Sequence, residues 1–324
     1  MGIETLLVLS ANPADPDLKL LADLPPETGI AVGNSLAAFQ HLSRDATVIL
    51  SWSLAGQLLC DVFALCPNLR WVHSRSAGLD GVVCPAMVES PVVLTNGRGV
   101  FSQSLGEFAL GAILYFAKDF RRMIRNQEAG SWEPFDIVEV AGQTVGILGY
   151  GDIGRAVAAR VRAMGMRVLA VKRHPASPDH AGPLAEQVFP PARRLEMIAQ
   201  SDYIVAAAPL TPVTRGLIGE AEFQAMKPTA VVINLGRGPV IDEAAMLRAL
   251  TGKRIKGAAL DVFDTEPLPA GHAFYGLDNV LLSPHCADHT PDWTEQGMRF
   301  FLAQFQRFSA GQPLENVVDK ARGY

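Results

Sequence analysis

Short apolar runs alternate along the chain with stretches whose apolar residues recur at helical spacing. In residues 1–100 the runs 5–9 (TLLVL), 47–50 (TVIL), 70–74 (RWVHS) and 91–94 (PVVL) read as strands, with a helical pattern over 53–65. A helix is predicted over 102–118, where Leu105, Ala109, Ala112 and Phe116 share one face. A cleaner series begins at Gln143, with strands predicted at 144–148 (TVGIL), 166–172 (MRVLAVK), 202–208 (DYIVAAA), 230–235 (AVVINL), 257–263 (GAALDVF) and 279–285 (NVLLSPH). Helical stretches or loops of crossover length separate these runs, so the economical reading is an α/β chain with parallel sheets. Residues 290–308 predict a last helix before a polar tail, and 175–191, rich in Pro and Ala, predict a long connection. No segment repeats, and none is of low complexity.

Composition narrows this picture. At 324 residues, with 49% hydrophobic positions, the chain has the length and apolar content of about two packed domains. Its net charge of −5 is unevenly placed: residues 1–69 carry two basic side chains (Lys19, Arg44) against seven acidic ones, and the remainder is balanced. Such a chain has no electrostatic footprint for a nucleic acid backbone. The longest apolar run, 108–117, is shorter than the ~18 residues a bilayer requires and reads as a buried helix. The N-terminal stretch lacks the basic region of a secretory signal. Met1-Gly2 would admit myristoylation, but Leu6 stands where that pattern needs Ser or Thr. Cys60, Cys66, Cys84 and Cys286 show no paired spacing and read as reduced thiols, as expected of a cytoplasmic protein.

The candidate chemistry starts where TVGIL runs into Gly149-Tyr150-Gly151-Asp152-Ile153-Gly154 and then into a helix with Ile153, Val157, Val161 and Met164 on one face. In this strand–turn–helix context the first glycine allows the turn, the second lets a pyrophosphate approach the backbone, and the third lets helix and strand pack closely. Free N–H groups at the helix start then bind the pyrophosphate. The next strand ends in Lys172-Arg173-His174, where an NAD enzyme usually places a carboxylate for the adenosine ribose. Lys172 and Arg173 can pair with a 2′-phosphate, so NADP(H) is expected in preference to NAD(H). The plainer alternative is two cations at an exposed strand end.

Four further strings carry a resemblance: PLTPVT at 209–214, MKPTAVVINLGRG at 226–238, LDVFDTEPLP at 260–269 and SPH at 283–285. With the glycine motif, and in this order, they resemble the D-isomer-specific 2-hydroxyacid dehydrogenase family, with glyoxylate/hydroxypyruvate reductases the nearest branch. The resemblance implies a catalytic trio of Arg237, Glu266 and His285. His285 would be the proton donor to the substrate carbonyl oxygen, and Glu266 would favour and orient its imidazolium form. Arg237 would bind the substrate carboxylate and polarise the carbonyl. Singly, each has a plainer explanation in a surface ion pair, a capping acid or a satisfied histidine. The resemblance further implies that backbone N–H groups of Ala77 and Gly78 bind the substrate carboxylate, with Asn96-Gly97-Arg98-Gly99 nearby. It implies that Asp152, Ile153, Ala208, Pro209, Thr214, Leu235, Gly236 and Asp261 line the cofactor, Asp261 holding the nicotinamide carboxamide. After His285 the chain departs from the family's small-residue pair with Cys286-Ala287-Asp288-His289, which bears on the pocket or hinge. No metal site is expected from these residues.

The implied architecture is a Rossmann doubly wound parallel sheet at 101–289 and a smaller, discontinuous, flavodoxin-like substrate domain built from 1–100 and 290–324. A cleft that closes on both ligands is expected. The helix from Ser102 and the segment 121–140, with Gly130-Ser131-Trp132, resemble the family's dimer contact, so a homodimer is expected. The implied reaction is reduction of a small 2-keto acid to its 2-hydroxy acid, with no nucleic acid or membrane partner. Alternatives are a D-lactate-type or phosphoglycerate dehydrogenase using NADH, although a chain ending at Tyr324 leaves no room for an appended regulatory domain. A formate dehydrogenase is disfavoured by Glu266. From another class, a dinucleotide-sensing corepressor keeps the trio but usually carries long tails.

Overall fold

A computed structural model describes residues 3–53, 55–174 and 184–323. Met1-Gly2, where the myristoylation pattern would fall, and positions 175–183 of the expected long connection lie outside the described residues. The chain divides into two compact units, Met1–Phe101 with Thr290–Tyr324, and Ser102–His289.

The first unit holds β1 (Thr5–Leu9), β2 (Gly29–Gly33), β3 (Val48–Ser51), β4 (Trp71–Ser74) and β5 (Val93–Asn96). All pair in parallel, in the order β2-β1-β3-β4-β5, which is the flavodoxin-like order. Alternation sorts the side chains to two faces. Leu7, Leu9, Ile49, Val72 and Leu94 meet Leu59 and Val62 of the helix Gln57–Ala64. Leu6, Val8, Val48, Leu50 and Trp71 meet Met298, Phe301, Leu302 and Phe305 of the helix Trp293–Ser309. Burying a side chain of that size stabilises by about 1.5–3 kcal/mol. Four together are comparable with the whole net stability of a domain, about 5–15 kcal/mol. The last helix is therefore an integral part of this unit.

The second unit holds β6 (Thr144–Leu148), β7 (Arg167–Val171), β8 (Gln187–Phe189), β9 (Tyr203–Ala206), β10 (Val231–Asn234), β11 (Gly257–Leu260) and β12 (Val280–Leu282). The order is β12-β11-β10-β9-β6-β7-β8, and every pairing is parallel. Strand order reverses between β6 and β9, the point where doubly wound sheets take their ligands. One face packs Val145 and Ile147 against the helices Ser102–Lys118 and Asp152–Ala163. The other packs Leu148, Ile204 and Val232 against Met197 and Ile198 of Arg194–Gln200 and Met246 and Leu250 of Glu243–Thr251. The first two helices touch closely at Gly106, where a Cβ would stand 3.0 Å from the carbonyl of Ala156.

Two strands escaped the apolar pattern. β2 (GIAVG) is a short edge strand with glycine at both ends, which dilutes its signal. β8 corrects the expectation of a connection running unbroken to 191: Gln187–Phe189 pairs with Leu169–Val171 of β7 as a three-residue edge. In the other direction, the strand expected over 279–285 pairs in register only through Val280–Leu282. Ser283 N still donates to Leu260 O, and beyond it the N–H groups of Cys286 and Ala287 turn to a buried acid described below. The segment 121–140 begins as a helix, Phe120–Glu128, capped by Asp119, and continues without regular structure.

His73 on β4 is fully buried against Trp71, Phe300 and Phe301, its Nδ1 2.7 Å from Thr95 Oγ1. Burial pushes its pKa down to about 3. The unfolded chain takes up a proton near pH 6.5, so between those values the unfolded state binds more protons and stability falls as the pH falls. Urea unfolding followed by tryptophan fluorescence should show the first unit losing stability from pH 6.5 downward, by up to about 1.4 kcal/mol per pH unit. A His73→Phe variant should flatten that slope, and an unchanged slope would refute the assignment.

Candidate active site

The glycine motif follows β6, and each of its glycines has its own steric reason. Gly149 has φ +98°, and a Cβ there would stand 2.5 Å from Ala208 N. A Cβ at Gly154 would stand 2.4 Å from Gly149 O and 3.1 Å from Ile147 Cγ2, so helix and strand pack at backbone distance. A Cβ at Gly151 would meet nothing within 4 Å. The turn is thus tight at its first glycine, tightly packed at its third, and open at the one that faces the helix start, which suits a pyrophosphate at the N-terminus of Asp152–Ala163. Asp152 in the first helical turn pairs with Arg155 at 2.7 Å, and Ile153 packs on the sheet core.

The neighbouring strand ends converge on this turn. Gly149 N donates to Val171 O at 3.2 Å, which sets Lys172 and Arg173 beside the turn at the end of β7. Lys172 N in turn donates to Phe189 O of β8. Ala208, just after β9, is buried against Gly149, and a Cβ at Gly236 would stand 2.7 Å from Ala208 O. Leu235 is buried, with its N–H on Ala206 O. The loop that starts at Pro209 is closed by Thr214, whose hydroxyl donates to Pro209 O at 2.6 Å and accepts from Thr211 N at 2.8 Å.

The trio stands on the ends of β10, β11 and β12. Asn234, almost fully buried, accepts from Gly236 N (3.1 Å) and donates to Arg237 O (3.1 Å), so it shapes the turn that presents Arg237. A Cβ at Gly238 would fall 2.0 Å from the carbonyl carbon of Phe263, which presses the Arg237 turn onto the segment after β11. On that segment Glu266 Oε1 accepts from Phe263 N at 2.8 Å, and Oε2 lies 2.6 Å from His285 Nδ1. A carboxylate oxygen accepts, so Nδ1 carries a proton and Nε2 is left for other chemistry. His285 has φ +51°, a conformation that costs energy outside glycine and tends to persist where surroundings enforce it.

The enforcing group is Asp261. It is 2% exposed, and its Oδ1 accepts from Ser283 Oγ (2.6 Å), Cys286 N (3.0 Å) and Ala287 N (3.1 Å). Ser104 Oγ donates to Ala287 O at 2.6 Å from the other side. Asp288, in the departing segment, has its carboxyl pKa pushed up by burial, with Asp261 adding to the shift and His289 and His285 opposing it. Asn234 and Ser283 are functional candidates that the motif strings contained but did not mark; a buried polar residue at a strand end was the available signal. No His, Cys, Asp and Glu grouping suited to a metal occurs among the described residues.

Ala77 and Gly78 belong to the other unit, in the loop after β4. Asn96 Nδ2 donates to Ala77 O at 2.7 Å and Gly97 N to Ser76 O at 3.3 Å, anchoring that loop to the end of β5. Arg98 there donates to Asn316 Oδ1 at 3.2 Å.

A doubly wound sheet with a glycine turn at its switch point, and an Arg–Glu–His group on adjoining strand ends, is the layout of a dinucleotide-dependent oxidoreductase. The D-isomer specific 2-hydroxyacid dehydrogenase NAD binding domain matches residues 110–287. The chain belongs to that family, and it is an NAD(P)-dependent 2-hydroxyacid dehydrogenase. It is 33% identical to a glyoxylate reductase of Aeropyrum pernix, over 82% of this chain and 81% of the relative. Among solved structures it is similar to a D-isomer specific 2-hydroxyacid dehydrogenase from Xanthobacter autotrophicus in complex with NADPH and MES, with 30% identity, TM-score 0.84 and all of both chains covered (100% each). It is also similar to an NADPH-dependent glyoxylate/hydroxypyruvate reductase from Sinorhizobium meliloti in complex with NADP and sulfate, with 27% identity, TM-score 0.85, and 99% of this chain and 100% of that chain covered. No helix among the described residues is long and apolar enough to cross a membrane.

Removing the Asp261 acceptor strands two backbone N–H groups and a hydroxyl. Asp261→Ala should cost the second unit about 3 kcal/mol or more in urea unfolding, at roughly 1 kcal/mol or more for each bond lost. A loss below about 1 kcal/mol would show that the loop holds His285 without it.

Proposed function

We propose that the protein reduces a small 2-keto acid of the glyoxylate or hydroxypyruvate type to its 2-hydroxy acid, with NADPH as the reductant. The observation that carries this reading is the 2.6 Å bond from His285 Nδ1 to Glu266, on a loop fixed by buried Asp261. It is supported by the glyoxylate reductase relative and by the NADP-bound neighbour. The dinucleotide fits this chain on steric grounds: the backbone at Gly151 is open where a Cβ would meet nothing, and the first turn of the following helix offers N–H groups. Lys172 and Arg173 would pair with the 2′-phosphate, and Asp152, Ile153, Ala208, Pro209, Thr214, Leu235 and Gly236 would line the remainder. When bound, the cofactor supplies the hydride that the carbonyl carbon accepts.

The chain's own residues do the rest. Arg237 holds the substrate carboxylate and polarises the carbonyl with fixed charged donors. Backbone N–H groups of Ala77 and Gly78 hold the carboxylate from the unit that serves as the substrate domain. His285 Nε2 gives a proton to the carbonyl oxygen as negative charge develops there, and Glu266, bonded at Nδ1, keeps the ring oriented until it does. Asp261 has one oxygen on the histidine loop and would use the other to orient the nicotinamide carboxamide. In this way one buried acid would register both reacting partners. The setting is cytoplasmic.

The test is a spectrophotometric assay of NADPH oxidation with glyoxylate, hydroxypyruvate and pyruvate. Turnover is expected, reduced in His285→Ala by about 10²–10⁴-fold; no turnover with any of the three would end the reading. NADPH should be favoured over NADH, and Lys172→Asp should narrow the preference; equal use of both cofactors by the wild type removes the role given to Lys172 and Arg173.

We also propose a homodimer. Phe120, Met123, Ile124, Ile137 and Trp132, the last 97% exposed, line the segment 120–140 with apolar surface. Light scattering should give about twice the chain mass of 34.8 kDa, and a monomer at micromolar concentration would refute this.

A further inference from the structure

Arg75 occupies the corner between β4 and the Ser76-Ala77-Gly78 loop. Its guanidinium carbon lies 4.6 Å from the ring centroid of Trp52 and 4.7 Å from that of Trp293, so the cation sits against two indole faces. Trp52, just after β3, is 1% exposed, and its indole N–H donates to Asp15 Oδ2 at 2.9 Å. Trp293 opens the last helix and meets Phe101 edge to face, with ring centroids 6.1 Å apart. The aliphatic stem of Arg75 crosses that helix at Gly297, where a Cβ would stand 3.2 Å from Arg75 Cγ.

The Arg75 backbone is held as firmly as its side chain. Its N–H donates to Ser51 O at 3.1 Å, and its carbonyl oxygen packs on Gly97, where a Cβ would fall only 2.0 Å away. The next two carbonyls are taken as well, Ser76 O by Gly97 N and Ala77 O by Asn96 Nδ2. The peptide groups of Ala77 and Gly78 therefore follow from where Arg75 is fixed. One planar cation links the end of β3, the loop after β4 and the start of the last helix, segments far apart in sequence. Lysine, a point charge without a flat face, cannot stack in the same way.

We propose that Arg75 is a positioning residue for substrate capture: clamped between Trp52 and Trp293, it sets the N–H groups of Ala77 and Gly78 that receive the keto acid's carboxylate. The proposal rests on the reading of those two residues given above. It concerns affinity for the keto acid alone, since the hydride and proton steps use groups of the other unit.

Steady-state kinetics with glyoxylate and NADPH test it. In Arg75→Met, which keeps the length of the stem but not the charge or the flat face, the KM for glyoxylate should rise about tenfold. Both kcat and the KM for NADPH should stay within about twofold. Arg75→Lys should fall between, with a glyoxylate KM raised about threefold, and it carries the test if the methionine variant does not fold. A glyoxylate KM within twofold of wild type, in a preparation where His285→Ala lowers turnover as expected above, overturns the proposal and leaves the reading of the site standing. A joint fall in kcat, rise in both KM values and drop in melting temperature also overturns it, since that is the signature of general structural damage. Absence of wild-type turnover with any short keto acid removes the reading and the proposal together.

Discussion

Much of the second unit's working end hangs on a single carboxylate oxygen. Oδ1 of Asp261 gathers a hydroxyl and two backbone N–H groups from the segment after β12. That oxygen ends the strand, fixes the turn and holds His285 in a left-handed conformation. A buried carboxylate with no partners would be costly, and three donors on one oxygen offset that cost. The same bonds set His285 where Glu266 reaches it at 2.6 Å, although that contact itself is open to solvent. The backbone geometry at His285 is thus inherited from a buried group.

The sheets were largely legible because parallel strands buried on both faces write themselves as continuous apolar runs, as TVGIL and AVVINL do. The glycine turn was legible because its steric demands admit only glycine, and the structure gives Gly149 and Gly154 neighbours that a Cβ would strike. What stayed hidden has a common cause. β2 and β8 are edges whose pairing is decided by the partner strand and not by their own composition. Asn234 acts through hydrogen bonds to backbone and Ser283 through one to the Asp261 carboxylate, and a polar residue in a string does not announce which group it serves. The stack of Trp52, Arg75 and Trp293 joins residues with no periodic relation to one another. Motif strings locate strand ends; they do not show how those ends are braced.

The two units solve the problem of backbone approach in one way but to different ends. In the second unit, Gly149, Gly236 and Gly238 let the ends of β6, β9, β10 and β11 close on one another at backbone distance. In the first, Gly97 and Gly297 make room for one arginine, by its carbonyl and by its stem. Glycine in both places is the absence of a side chain that lets another group stand where it does.

The interrupted make-up of the first unit bears on how the protein is made. Residues 1–101 emerge first and can pair their five strands. The face formed by Leu6, Val8, Leu50 and Trp71 nevertheless has only the partial cover of Leu18, Leu21 and Leu24 until Met298, Phe301 and Phe305 have been synthesised. At translation rates of about 5–20 residues per second, the intervening unit delays that cover by on the order of ten seconds or more. For that interval the ribosome carries a nearly finished sheet with one apolar side only partly covered, while the nucleotide-binding unit folds downstream of it. Newly made chains would depend on chaperone capture at this stage far more than refolded full-length protein does, and an inserted stop codon late in the message would leave the sheet permanently uncapped.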